Sequence, residues 1–123
     1  MNLEETVREM FADAKMGTRD FLVNARNFAA SPERDITKGM FKKNNSFCIG
    51  GFLLAGNGVP IKDGSQYCLP FTGELARFNE ANNYLNRFSN TGNYQSLNDT
   101  SWVDKEDVIA IFDCAIEDYD KKH

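Results

Sequence analysis

Cys48 opens the most apolar stretch of the chain, Phe47 to Ala55, and a thiol at a helix start is where thiolates become nucleophilic. Cysteine catalysis also needs a base to activate the thiol. The sole histidine, His123, stands at the last position, where fraying is expected. An inert, buried Cys48 is therefore the better reading, free cysteine being among the most buried residue types. Adjacent carboxylates, Glu106 with Asp107 and Glu117 with Asp118, suggest acid–base work or a hard-cation site. Neighbours in sequence on a helix do not face each other, so a solvated helix face accounts for them. No phosphate-binding glycine loop, nucleophile elbow, zinc-protease helix or EF-hand pattern occurs. Cys48, Cys68 and Cys114 are widely spaced without a C-x-x-C pair, so neither a disulfide framework nor a zinc site is indicated. No catalytic residue, metal ligand or cofactor is expected.

Binding chemistry is easier to place. Ser96 to Ser101 gathers Ser, Asn, Asp and Thr, side chains that hydrogen-bond nearby backbone and favour turns. Its structural reading is a turn leading into the last helix, and its functional reading is a polar pair, Asn98 and Asp99. Gly50 and Gly51 permit close backbone approach to a ligand. Together with Asn98 and Asp99 they outline one function class, a small-molecule or nucleotide pocket near Gly51 and Asn98–Asp99, possible in an enzyme.

A second class rests on charge. The net charge is −4, and residues 61 to 123 hold six Lys/Arg against eleven Asp/Glu. That balance excludes a general nucleic-acid binder, which draws its affinity from cations on phosphates. Between Asp99 and Asp120 eight acids face Lys105 alone, a surface suited to a basic protein groove. Asp113, Glu117 and Asp120 fall at helical spacing on the outward side of the last helix, and Trp102 precedes it; these are the candidate contacts. Arg34, Lys38, Lys42 and Lys43 would form a basic stripe if residues 33 to 43 were helical, an ordinary solvated face otherwise.

The elements that position these residues follow from periodicity. Asn2 with Glu5 resembles a capping box, and Leu3, Val7, Met10, Phe11 and Ala14 give a helix over about 3 to 16. Thr18 caps a second helix striped by Phe21, Leu22, Ala25, Phe28 and Ala29, broken at Ser31–Pro32; Pro32 suits the first turn of another. Lys42 to Asn45 reads as a polar turn, and Ser46 as cap of a segment from Phe47 to Ala55 that is helix or buried strand. Each glycine there costs a helix about 1 kcal/mol, unless Gly50 and Gly51 serve close packing. Residues 56 to 65 form a loop with a tight turn at Asp63–Gly64 between short extended pieces at 59 to 61 and 67 to 69. Thr72 caps a helix whose inward stripe is Leu75, Phe78, Ala81, Leu85 and Phe88, with Tyr84 alongside. Asp104 caps the last helix, in which Val108, Ile111, Phe112, Ala115 and Tyr119 face the core while Glu106, Asp107, Lys121 and Lys122 suit the helix dipole.

These segments resemble an uncharacterised family of small bacterial and phage proteins of unknown function, in the order Gly39 and Phe41, Cys48, Gly51 and Leu53, Asn98 and Asp99, then Val108 and Ala115. Phe52 stands where that pattern has a small residue, Leu97 where it has Trp, and Trp102 follows four residues after Asn98. The resemblance implies a mainly helical fold and no known activity.

With 41% hydrophobic residues in 123, the chain has core enough for one domain, 1–123. The expected architecture is mainly α, a compact bundle of about four to five helices with a Gly-rich central loop or small hairpin. No apolar run reaches the roughly 20 residues that span a bilayer, and the N-terminus alternates charged and apolar residues, so a cytoplasmic location and no membrane contact are expected. The favoured function is a small acidic non-catalytic protein of phage or mobile-element type. It would bind a host protein with a basic surface, such as a defence nuclease, and modulate or inhibit it.

Overall fold

The computed structural model describes residues 17–38, 40–58, 61–64, 76–87 and 103–123. Within them the chain is mainly helical with one small sheet: α1 (Thr18–Ala29), β1 (Asp35–Ile36), β2 (Lys42–Lys43), β3 (Ser46–Phe47), α2 (Ile49–Gly56), α3 (Ala76–Asn86) and α4 (Lys105–Lys122). The helix expected over 3 to 16, the extended piece at 67 to 69, Gly39, Cys68, Thr72, Leu75, Phe88 and the side chain of Phe78 lie outside the described residues.

In α1 the predicted stripe faces inward: Phe21, Leu22, Ala25 and Ala29 are buried and Phe28 is half-buried. Its cap is Gly17 rather than Thr18, which is the first helical residue, and the Asp20 carboxylate accepts from the Gly17 N–H at 2.9 Å. Among the described residues, no helix starts at Pro32. Residues 32 and 33 turn and the chain enters β1, so the basic stripe at Arg34, Lys38, Lys42 and Lys43 does not form. Arg34 lies over the Phe28 ring at 3.7 Å, Lys38 donates to the Val103 carbonyl at 3.1 Å, and Lys42 stands 3.7 Å from Asp63.

The polar turn at 42 to 45 is instead a hairpin. β2 and β3 pair antiparallel, Lys42 with Phe47 and Lys43 with Ser46, around the two-residue loop Asn44–Asn45. Asn44 takes φ 56°, a left-handed turn conformation that Asn tolerates better than most residues. β1 joins β3 in parallel, giving the order β1-β3-β2.

Phe47 to Ala55 proves to be strand and then helix. Ser46–Phe47 is β3, and Cys48 rather than Ser46 caps α2, its Sγ accepting from the Gly51 N–H at 3.3 Å. Ile49 through Leu54 are all buried, so α2 is a core helix and needs no polar face. The close-packing reading of the glycines holds at Gly51, where a Cβ would collide with the Phe41 carbonyl oxygen. At Gly56 a Cβ would lie 2.8 Å from the Ala25 Cα, so this glycine sets the tight approach of α2 to α1.

One core joins the four described helices. Phe52, Phe112, Leu22, Ile49, Leu53, Leu85 and Val108 are its largest fully buried members, each contributing about 1.5–3 kcal/mol through burial. Phe28, Phe47 and Phe52 meet with centroids 5.2 to 6.3 Å apart, two of the three contacts edge-on. α1 packs against α2, α3 and α4, and α3 also packs against α4.

Candidate functional site

α4 carries the candidate contacts that the structure describes. Asp104 caps it as expected: its carboxylate accepts from the Asp107 N–H at 3.0 Å while Asp107 accepts from the Asp104 N–H at 3.0 Å. Val108, Phe112 and Ala115 are buried and Ile111 and Tyr119 half-buried, which rotates Glu106, Asp113, Glu117 and Asp120 to one exposed flank. Their spacing of seven, four and three residues is one side of a helix, a row about 21 Å long at 1.5 Å per residue.

The row is not a set of isolated carboxylates. Arg26 on α1 donates to Asp113 at 2.9 Å, and Arg19 donates to Asp120 at 2.9 Å. Glu117 lies 3.2 Å from Lys121 one turn on. All three carboxylates stay about half exposed or more, at 52%, 48% and 68%. The two arginines come from opposite ends of α1, so the pairs also show that α1 and α4 run antiparallel. Periodicity placed Asp113, Glu117 and Asp120 outward, but it could not show that α1 supplies the cations for Asp113 and Asp120, because Arg19 and Arg26 lie far away in sequence.

On the opposite flank Arg87, just past α3, donates to Asp118 at 2.9 Å, and Lys122 stands 3.4 Å from the same oxygen. The Asp118 carboxyl is held below the usual carboxylate range, chiefly by the Arg87 hydrogen bond and then by Lys122. Arg87 and Lys122 also lie over the Tyr84 ring, at 4.5 and 5.5 Å, and Tyr84 meets Tyr119 edge-on at 5.5 Å.

Lys105, the one base in the acidic stretch, turns away from it. Its Nζ donates to the carbonyls of Ser31 and Arg34 at 2.6 and 2.7 Å, tying the start of α4 to the turn after α1. An ammonium at a helix N-terminus opposes the dipole, and these two carbonyls offset that cost.

Among the described residues, those able to do covalent chemistry are not brought together. Cys48 is 2% exposed with its Sγ engaged as a helix cap, whereas Cys114 is exposed on α4. His123, expected to fray, stacks on Tyr119 at 4.2 Å. Gly51 presses on the Phe41 backbone, which occupies the side a Cβ would take. Asn98, Asp99 and Trp102 lie outside the described residues. Among the described residues no three His, Cys, Asp or Glu side chains group as metal ligands, and no helix is long and apolar enough to cross a membrane.

No family model, curated protein or solved structure matches this chain.

Proposed function

We propose that the chain is a small, acidic, non-catalytic interaction protein of phage or mobile-element type that binds a cytoplasmic host protein and modulates or inhibits it. The observation that supports this is the row Glu106, Asp113, Glu117 and Asp120, displayed on a helix that is capped, packed and braced against α1. A rigid row of carboxylates favours a partner with a basic groove, because fixed charges steer encounter and set register. Arg19 and Arg26 flank the row along one edge, so a partner's cations approach from the other edge and from above Glu106 and Glu117. The scaffold for this role is a bundle of four to five helices, the four described plus the one expected over 3 to 16. Asn98, Asp99 and Trp102, close in sequence to the start of α4, are proposed to extend the contact.

Affinity capture from a bacterial host lysate tests the reading. The expected result is a protein partner retained at low salt and released as salt rises. Retention of none at low salt, with the folded chain immobilised, would remove the support for an interaction role. Retention that is unchanged in high salt would remove the electrostatic part.

A further inference from the structure

Asn57 is the one asparagine in the chain that glycine follows, and it sits at the joint between α1 and α2. Its side-chain amide donates to the carbonyls of Leu53 at 2.7 Å and Phe21 at 3.1 Å. Its carbonyl accepts from the Asn24 amide at 3.0 Å. Gly58, with φ +85°, donates its backbone N–H to the Ala55 carbonyl at 3.0 Å. An Asn side chain thus fills both donor positions and one acceptor position while stitching two core helices together.

We propose that Asn57–Gly58 is a site of spontaneous deamidation, gated by opening of the α1–α2 joint, and that the reaction permanently loosens that joint. A glycine after asparagine leaves the attacking nitrogen without a side chain to shield it. The Gly58 backbone nitrogen attacks the Asn57 Cγ, the new N–C bond closes a five-membered imide, and the nitrogen gives up its proton. The Cγ–Nδ2 bond breaks and ammonia leaves. Water then opens the imide at one carbonyl or the other, yielding aspartate or isoaspartate; no redox partner is required. In the folded chain both reacting groups are held: Asn57 by Leu53, Phe21 and Asn24, and the Gly58 nitrogen by Ala55. Ring closure therefore waits for local opening, whose population sets the rate. The carboxylate product has no N–H to give Phe21 and Leu53, so both of these side-chain hydrogen bonds are lost and the two carbonyls face a negative charge.

The test follows the Asn57 peptide by mass spectrometry while the full chain stands in mildly alkaline buffer, folded or in denaturing urea. In urea Asn57 is expected to convert ahead of every other asparagine. In the folded chain its conversion is expected to slow by roughly tenfold or more, the factor set by the opening equilibrium. Equal rates in the two states overturn the gating, and another asparagine converting first in urea overturns the site. The product mimic Asn57→Asp supplies the second measurement. Its melting temperature is expected to lie below the parent's at neutral pH, and the gap between the two to narrow below about pH 4, where a protonated carboxyl can donate again. A midpoint equal to the parent's at neutral pH overturns the loosening.

Discussion

At the scale of single residues, two positions carry constraints out of proportion to their size. Gly51 costs α2 about 1 kcal/mol in helix propensity relative to Ala, so Gly51→Ala would stabilise an open helix. Here the added methyl meets the Phe41 carbonyl, which itself accepts from the Cys48 N–H at 3.2 Å. Overpacking of this kind costs about 1–3 kcal/mol and outweighs the propensity gain. Chemical denaturation is expected to show a net loss, and a stabilised variant would mean that the Phe41 segment yields freely. Cys48 offers a second check. Its enclosed, cap-bound sulfur is expected to resist a thiol reagent until the chain unfolds, whereas Cys114, exposed on α4, labels at once. Rapid native-state labelling of Cys48 would return it to consideration as a nucleophile.

At the scale of elements, the joints are made by charges and amides placed where helices cross. The Asp118 carboxyl, held below its ordinary value of 3.8 by Arg87 and Lys122, ties α4 to the end of α3. A carboxyl depressed on folding adds stability above its unfolded pKa and loses that contribution as pH falls through the folded one. The urea midpoint is therefore expected to drop on acidification below about pH 4, and Asp118→Asn should flatten part of that drop. Glu33, lowered chiefly by the Ser31 hydroxyl, supplies another part. An unaltered acid profile in Asp118→Asn would show that the α3–α4 joint does not depend on this ion pair.

Much at this scale was legible in the sequence: the stripes of α1 and α4, the Asp104 cap, and the inward Ala81 and Leu85 are local patterns with local causes. The hairpin was misread because strands of two residues carry no alternation, although Asn44–Asn45 between Lys43 and Ser46 was the available signal. The helix after Pro32 failed for a different reason. Arg34 leaves a helical path to stack on Phe28, and Lys105 claims the Ser31 and Arg34 carbonyls; both partners are fixed by tertiary contact. The acidic row was legible as an outward face, while its arginines were not.

At the scale of the whole molecule, stability and display both depend on α4. Phe112 is fully buried at its centre, and Phe112→Ala is expected to destabilise by about 3–5 kcal/mol, read from the unfolding midpoint. A change within error of the parent would mean that the cavity collapses. The outer flank must be altered without disturbing this core, and charge reversal is unsuitable, because Lys at 113 or 120 would face Arg26 or Arg19. The neutral, near-isosteric combination Asp113→Asn, Glu117→Gln and Asp120→Asn removes the charge and keeps the size. Its fold is expected to persist, since the core stripe is untouched and exposed ion pairs contribute little. Association with the partner is expected to slow at low salt with little change in dissociation, the signature of lost steering rather than lost contact. Added salt should then shrink the gap between parent and variant, since ions screen exposed charges over about 10 Å at 0.1 M. An unchanged association rate at low salt would reduce the row to a solubilising surface and move the interface to Trp102 or to the segment that follows α2.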